Sequence, residues 1–483
     1  MKRILLFGSL AAAVALANSC ARNPVTGKKQ VVFTSEAQEI QQGAEADPQI
    51  VAQFGLYPDS ALQRYIRERG NAVAAVSHRP GLQWSYKILD SDVINAFATP
   101  GGYVYFTRGI MAHFNDEAQM EGVLGHETGH VTARHSVIQQ RNQMLGQVGL
   151  IAGVIINPNL GQFADQVSQG LGLLLLKFGR DDERQADELG VEYSTKLGYN
   201  AHRMAEFFNT LKRQSQAAGG QTLPPFLSTH PDPGDRFVTV NQLATEWQQK
   251  TGNTANLKVN RDTYLRRLEG LVYGADPRQG FVENGAFYHP ELRFQFPVPQ
   301  GWQSQNSPTQ FQMAPQDGKA LMILTLAEGN NLQTAATAQL QKYGLTARSQ
   351  RSGTVNGIPA YIVVADQQPQ QQGAAPLRTL NYFLQYNNAI YHMIGVTSAT
   401  DYPAYENQFA SVMEGFRSLT EADKLNRKPE RVHIRTVATG GTLRQVLTSY
   451  NVPERRLDEL SILNGMQLTD NVAKGTLIKT VGP

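Results

Sequence analysis

Residues 125–135 read Gly-His-Glu-Thr-Gly-His-Val-Thr-Ala-Arg-His, and the spacing of His126, Glu127 and His130 suits metal chemistry. Four residues of α-helix turn about 400°, so His126 and His130 fall almost on one face and their two imidazoles can bind a single Zn²⁺. Glu127, between them, can reach a water at the same place. His135 lies a further half turn off that face if the helix continues, which predicts a structural or surface histidine.

A catalytic zinc site needs a third protein ligand and an open position for water. Downstream, Phe178-Gly-Arg-Asp-Asp-Glu183-Arg-Gln-Ala-Asp187-Glu-Leu-Gly190 places two carboxylates one helical turn apart. Two readings stay open from the residues alone. An acidic i,i+4 pair on a charged helix can be a solvated face. Alternatively, Ala186, Leu189, Gly190 and Tyr193 pack one side of the helix, and stacked like charges then call for a nearby cation. Asp187, beside Glu183, can accept a hydrogen bond from a ligand imidazole.

The elements that must position these groups are mostly helical between about 23 and 251. Ser35 is a helix N-cap with Glu36 and Glu39 following, and Leu62 to Ala75 keeps a helical period. Trp84 to Asp90 and Tyr103 to Thr107 read as strands joined through Thr99-Pro-Gly-Gly102. An exposed edge on Tyr103–Thr107 would let an extended peptide add itself by main-chain bonds. The apolar runs 145–156 and 170–178 are too short to span a bilayer; they read as core or as a glycine-hinged lid.

Taken as a set, Asn95-Ala-Phe97…Pro100-Gly-Gly102, the HExxHVxxRH block and Glu183-xx-Ala-Asp187-xx-Gly190 resemble the gluzincin metallopeptidases of the HtpX and CAAX-prenyl-protease superfamily. The resemblance covers about residues 20–250. It is nearest to the periplasmic lipoprotein branch, the LoiP- and BepA-like proteases, including the start Cys20…Asn23-Pro-Val-Thr-Gly27. It implies one zinc per chain, held by His126, His130 and Glu183. Glu127 then acts as general base, and Asp187 as proton donor or as a support behind the ligands. His230, in the loop Ser228-Thr-His-Pro-Asp-Pro-Gly-Asp-Arg236, is either an ordinary turn residue or faces the metal or the substrate oxyanion. Arg236 would hold the cleft by ion pairing.

Met1-Lys-Arg and an apolar stretch from Ile4 to Ala17 form a secretory leader ending at Cys20, the only cysteine. The pattern resembles a lipoprotein cleavage site with lipidation at Cys20, although Ala17 stands where Leu is usual. From 285 to 420 the chain turns β-rich, begins Phe296-Pro-Val-Pro-Gln-Gly-Trp302 and closes on a helix, which resembles the PsbP-like α/β domain. Residues 430–483 resemble a LysM-type βααβ module, with Gly441-Thr-Leu lacking the usual Asp; a glycan grip and a structural cap are equal expectations.

The expected architecture is α+β: a leader at 1–19, a mainly helical zincin-type metallopeptidase domain with a small β-sheet at 20–255, and a linker at 256–284. The PsbP-like domain (285–420) and the LysM-like module (430–483) follow. A net charge of +3 over 483 residues, with 41% hydrophobic and 18% charged residues, gives no ground for a nucleic-acid partner.

The expected function is a zinc metalloendopeptidase on the periplasmic side of the cell envelope, anchored to a membrane through Cys20 (the outer membrane by preference). It would act on misfolded or misassembled envelope proteins and contact peptidoglycan through the LysM-like part. The rival expectations are a catalytically idle envelope chaperone or peptidoglycan-associated binding protein, and a cell-wall hydrolase.

Overall fold

The computed structural model describes residues 20–31, 34–137, 150–151, 154–155, 158–167, 178–217, 225–230, 233–252, 254–368 and 375–483. The leader at 1–19 and most of the two apolar runs at 145–156 and 170–178 lie outside these residues. Among the described residues, no helix is long and apolar enough to cross a membrane.

Helix α1 (Glu36–Phe54) begins in a capping box, in which Ser35 and Gln38 each satisfy the other's backbone N–H. Helix α2 (Ser60–Val76) is capped by Asp59 and buries Leu62, Tyr65, Ile66 and Val73 along one stripe. A three-stranded sheet follows, made of β1 (Ser85–Leu89), β2 (Ala96–Thr99) and β3 (Tyr103–Thr107).

Its order corrects an expectation. Strand β3 is the central strand, parallel to β1 and antiparallel to β2, so it offers no free edge to a peptide. The reason is β2, a further strand between the two read from the sequence, just before the Pro100-Gly-Gly102 turn. Gly101 and Gly102 take positive φ values of 84° and 103° and fold β2 back onto β3.

Helices α3 (Arg108–His113) and α4 (Glu117–Thr132) then enter the core, α4 with every residue buried. A helix apolar and polar alike on all sides survives there only if its polar groups are partnered or functional. Helix α5 (Pro158–Val167) follows in the chain, and α6 (Arg180–Lys196), α7 (His202–Ala217), α8 (Pro225–Thr229) and α9 (Pro233–Thr251) contribute to the core around α4.

The β-rich part is a seven-stranded sheet. Its order is Trp302–Ser307, Gln310–Pro315, Ala320–Ala327, Ala389–Ser398, Leu377–Tyr386, Ile358–Gln367 and Leu345–Val355, antiparallel throughout. Each face carries its own apolar core, one beneath the helix Tyr402–Glu414 and the other beneath Leu332–Lys342. Leu160, Phe163 and Ala164 of α5 are buried in the second of these cores.

The last unit contains Glu430–Thr436, Leu443–Ser449, Leu457–Leu463 and Leu477–Gly482 in βααβ order. Its first strand also pairs with Val272–Tyr273, so the stretch at 256–284 contributes a strand to this sheet. Leu443, Leu447, Leu460, Leu463 and Ile478 share one apolar core with Phe114, Met120 and Leu211 around α4. Lys479, fully buried, donates from Nζ to the carbonyls of Ala112 (2.8 Å) and Phe114 (3.0 Å), just before α4.

Candidate metal centre

Helix α4 starts at Asp116, whose side chain accepts from the Gln119 N–H. It crosses α6 where two glycines meet. A Cβ on Gly125 would stand 3.0 Å from Gly190 Cα, and one on Gly190 would stand 2.8 Å from the Gly122 carbonyl oxygen. This close approach brings Glu183, in the first turn of α6, against the imidazoles of α4.

His126, His130, Glu183 and His230 each offer one ligand atom, and these atoms all lie within 4.8 Å of one another. The Nε2 atoms of His126 and His130 are 3.0 Å apart. His230 Nδ1 is 3.3 Å from His126 Nε2 and 2.9 Å from Glu183 Oε1. All four residues are buried.

The hydrogen-bond partners of the two imidazoles suit a cation. His126 Nδ1 faces Asp187 Oδ1 at 2.9 Å, and an ionised carboxylate only accepts, so Nδ1 carries the hydrogen. His126 Nε2 is then a bare lone pair. His130 Nδ1 lies 3.0 Å from His135 Nδ1, which leaves its Nε2 in the same state when His135 accepts. Two neutral rings so arranged direct both Nε2 lone pairs to one place, 3.0 Å apart, where a metal ion can accept them. The donor set of imidazole nitrogens and a carboxylate fits a divalent ion.

Glu127 is fully buried, and neither of its oxygens has a hydrogen-bond partner among the described residues. Its nearest charge partner is His230, with Nε2 at 3.6 Å from Oε1. Burial pushes the Glu127 carboxyl up, against the pull of His230 and His126. Burial likewise holds His130 well below the ordinary imidazole value, helped by the neighbouring histidines. For Glu183 and Asp187 burial acts upward but loses. His230 and Arg236 draw Glu183 below the ordinary range, and Arg236 and His126 do the same for Asp187.

Arg236 binds both carboxylates. Its Nε and Nη2 meet Asp187 at 2.9 and 2.5 Å, and its Nη1 lies 3.3 Å from Glu183 Oε2. Its guanidinium also stacks on Phe208 at 4.0 Å. His230, in the loop after α8, and Arg236, near the start of α9, thus stand with the two ligand-bearing helices, which spacing along the sequence leaves undecided.

Three contributors escaped the sequence reading as site residues. His135 reaches His130 because α4 stops at Thr132 and Arg134 takes φ 64°, so extrapolating the helix fails. Phe178 stacks its ring on His130 at 4.0 Å. Asn23 donates from Nδ2 to the Ala133 carbonyl at 3.3 Å, at the C-terminal end of α4, while its Oδ1 accepts from Val25 and Thr26. Its signal was the Asn-Pro-Val-Thr-Gly turn. Cys20 precedes it in a short hairpin that pairs Cys20–Arg22 with Lys29–Val31.

Comparison with known proteins agrees with this geometry. Residues 60–244 match the family model of Peptidase family M48. A putative beta-barrel assembly-enhancing protease of Vibrio cholerae is 29% identical over 197 residues, 39% of this chain and 40% of its own length. The beta-barrel assembly-enhancing protease of Escherichia coli K12 is 27% identical over 267 residues, 54% of this chain and 53% of its own. The chain therefore spans about half the length of the curated relatives it matches. A cyanobacterial PsbP structure from Synechocystis aligns with 28% of this chain and 91% of its own, at 9% identity and a TM-score of 0.22. Residues 60–244, which carry the buried His/Glu cluster, are thus similar to the peptidases of family M48.

Proposed function

We propose that this chain is a zinc-dependent endopeptidase of the bacterial cell envelope that hydrolyses peptide bonds in misfolded or misassembled proteins. One observation carries the reading. The Nε2 atoms of His126 and His130 converge at 3.0 Å beside Glu183, with the unpartnered carboxylate of Glu127 next to them. A scaffold gains nothing from burying an unpaired carboxylate there.

His126, His130 and Glu183 would hold the ion. Bound Zn²⁺ supplies Lewis acidity, polarising the scissile carbonyl and lowering the pKa of a water. Glu127 takes the proton from the attacking water and returns it to the leaving amine; burial, which raises its pKa, makes it a stronger base for that exchange. Asp187 keeps the His126 hydrogen on Nδ1 and so fixes which nitrogen faces the ion.

A catalytic zinc would take three of these donors and keep a position open for water. His230 sits on a loop rather than on α4 or α6, so it is the donor that can withdraw for water or substrate. The relatives named for beta-barrel assembly support an envelope setting. Lipidation at Cys20 would tether the enzyme to a membrane, the outer membrane by preference. The domain limits read from the sequence, with a LysM-like 430–483 near peptidoglycan, belong to the same proposal.

The test is Glu127→Gln. It should retain zinc and lose cleavage of an unfolded protein substrate. Equal cleavage by the variant and the wild type would sink the proposal.

A further inference from the structure

The two helical ligands are supported from behind by different chemistry. His126 has a carboxylate at its Nδ1, and Arg236 in turn fixes that carboxylate. Among the described residues, His130 has no acidic group at its Nδ1 position. Its Nδ1 instead meets His135 Nδ1 at 3.0 Å, and His135 Nε2 meets Gln185 Oε1 at 3.0 Å. Both histidines are buried, His130 at 0% and His135 at 1% exposure.

With both rings neutral, these contacts and Asp182 Oδ1, 3.7 Å from His135 Nε2, give one consistent set of protons. The Gln185 Oε1 atom only accepts, so His135 carries its hydrogen on Nε2. Its Nδ1 is then a lone pair, which accepts the Nδ1–H of His130. His130 Nε2 is in consequence bare and directed at the cluster. The run Gln185, His135, His130 is a relay that selects the His130 tautomer able to bind metal.

We propose that His135 is the positioning residue for His130, performing with a neutral acceptor the task that Asp187 performs for His126. This rests on the metallopeptidase reading above. The arrangement depends on the backbone at Arg134. There φ is 64°, and the side chain is anchored by Nε to Glu39 at 2.9 Å and by Nη2 to the Thr34 carbonyl at 2.9 Å. Without that reversal His135 would leave on the far side of the helix. Phe178 closes the other side, its ring stacked on His130 at 4.0 Å and 6.3 Å from His135, so among the described residues His130 has a packed face and one polar partner at Nδ1.

Two substitutions separate this role from packing. In His135→Asn, the amide oxygen stands near the place of Nδ1 and can still accept, while volume is lost. In His135→Phe the volume is kept and the acceptor is lost. Zinc affinity is read by competition with a chromogenic chelator on the full chain, at a temperature where both variants keep the wild-type circular dichroism. Asn should stay within a fewfold of wild type and Phe should bind about 10- to 100-fold more weakly. Filling space alone predicts the reverse order. The metal-free proteins give a second reading, in which ¹⁵N shifts of His130 should report the Nδ1–H tautomer in wild type and Asn but not in Phe. Wild-type affinity in Phe, or equal losses in Phe and Asn, overturns the proposal. A wild type that takes up no zinc overturns the metallopeptidase reading with it.

Discussion

Asp187 lies with Oδ1 2.9 Å from His126 Nδ1, and Arg236 holds the same carboxylate through two nitrogens at 2.5 and 2.9 Å. The ligand, its support and the support's counter-ion therefore come from three segments, α4, α6 and the start of α9. Asp187→Asn should lower zinc affinity about 10- to 100-fold. It also strips a buried guanidinium of its principal charge partner, which costs about 3–5 kcal/mol where such a pair is fully desolvated. Chelator competition and thermal melting measure the two effects. Loss of stability with unchanged zinc affinity would restrict Asp187 to an ion-pair role.

The crossing of α4 and α6 sets the distance between the ligands. An added Cβ on Gly190 would meet the Gly122 oxygen at 2.8 Å and the His126 backbone nitrogen at 3.1 Å. Both are backbone atoms of a fully buried helix and cannot turn aside. Gly190→Ala should therefore push Glu183 away from His126 and His130, costing about 1–3 kcal/mol as overpacking and weakening zinc binding. Gly81→Ala, which meets nothing within 4 Å, is the control and should leave both unchanged. A Gly190→Ala protein with wild-type melting and affinity would show that the crossing can relax.

Local spacing made α4 legible, because His126, Glu127 and His130 lie within one helix and their geometry follows from its pitch. Glu183 and Asp187 were legible as a pair from spacing, but as partners of α4 only through the family resemblance, since their meeting depends on Gly125 and Gly190 touching across two helices. His135 was misplaced by the assumption that the helix continues past Thr132, when Arg134 breaks it. The strand Leu345–Val355 escaped notice because an outer strand with Thr346 to Ser352 all exposed has no alternation to detect. The central position of β3 was hidden for the opposite reason. Strand β2 is four residues, all buried, and likewise alternates nothing.

Glu121, on α4 and one residue before Gly122, gives a pH prediction. It is fully buried, pairs with Arg69 through one oxygen and leaves Oε2 without a partner. Burial, opposed by Arg69, pushes its carboxyl up to about 7. The folded protein then keeps a proton that the unfolded chain releases near the ordinary value of 4.5. The resulting stabilisation is complete below that value and is lost as pH rises to about 7, each pKa unit being worth about 1.4 kcal/mol. Glu121→Gln should melt above the wild type at pH 8 and close to it at pH 5. The same difference at both pH values would show that Glu121 does not titrate in this range.

The βααβ unit at the end of the chain should be required for the metal centre to form. Its Leu443, Leu447, Leu460, Leu463 and Ile478 are buried in the same core as Phe114, Met120 and Leu211. Lys479 satisfies the Ala112 and Phe114 carbonyls at the corner that leads into α4, and Arg261 donates to the Leu477 carbonyl at 2.7 Å. Ending the chain before Glu430 would expose that core and leave both corner carbonyls buried without donors, each costing about 1–3 kcal/mol. A chain ending at 429 should therefore lose cooperative melting and zinc binding together, read by calorimetry and chelator competition. A truncated chain that melts cooperatively and binds zinc as the wild type does would make this unit an independent module. Its cleft, lined by His433, Arg435, Tyr450 and Arg456, would then be the place to look for glycan binding.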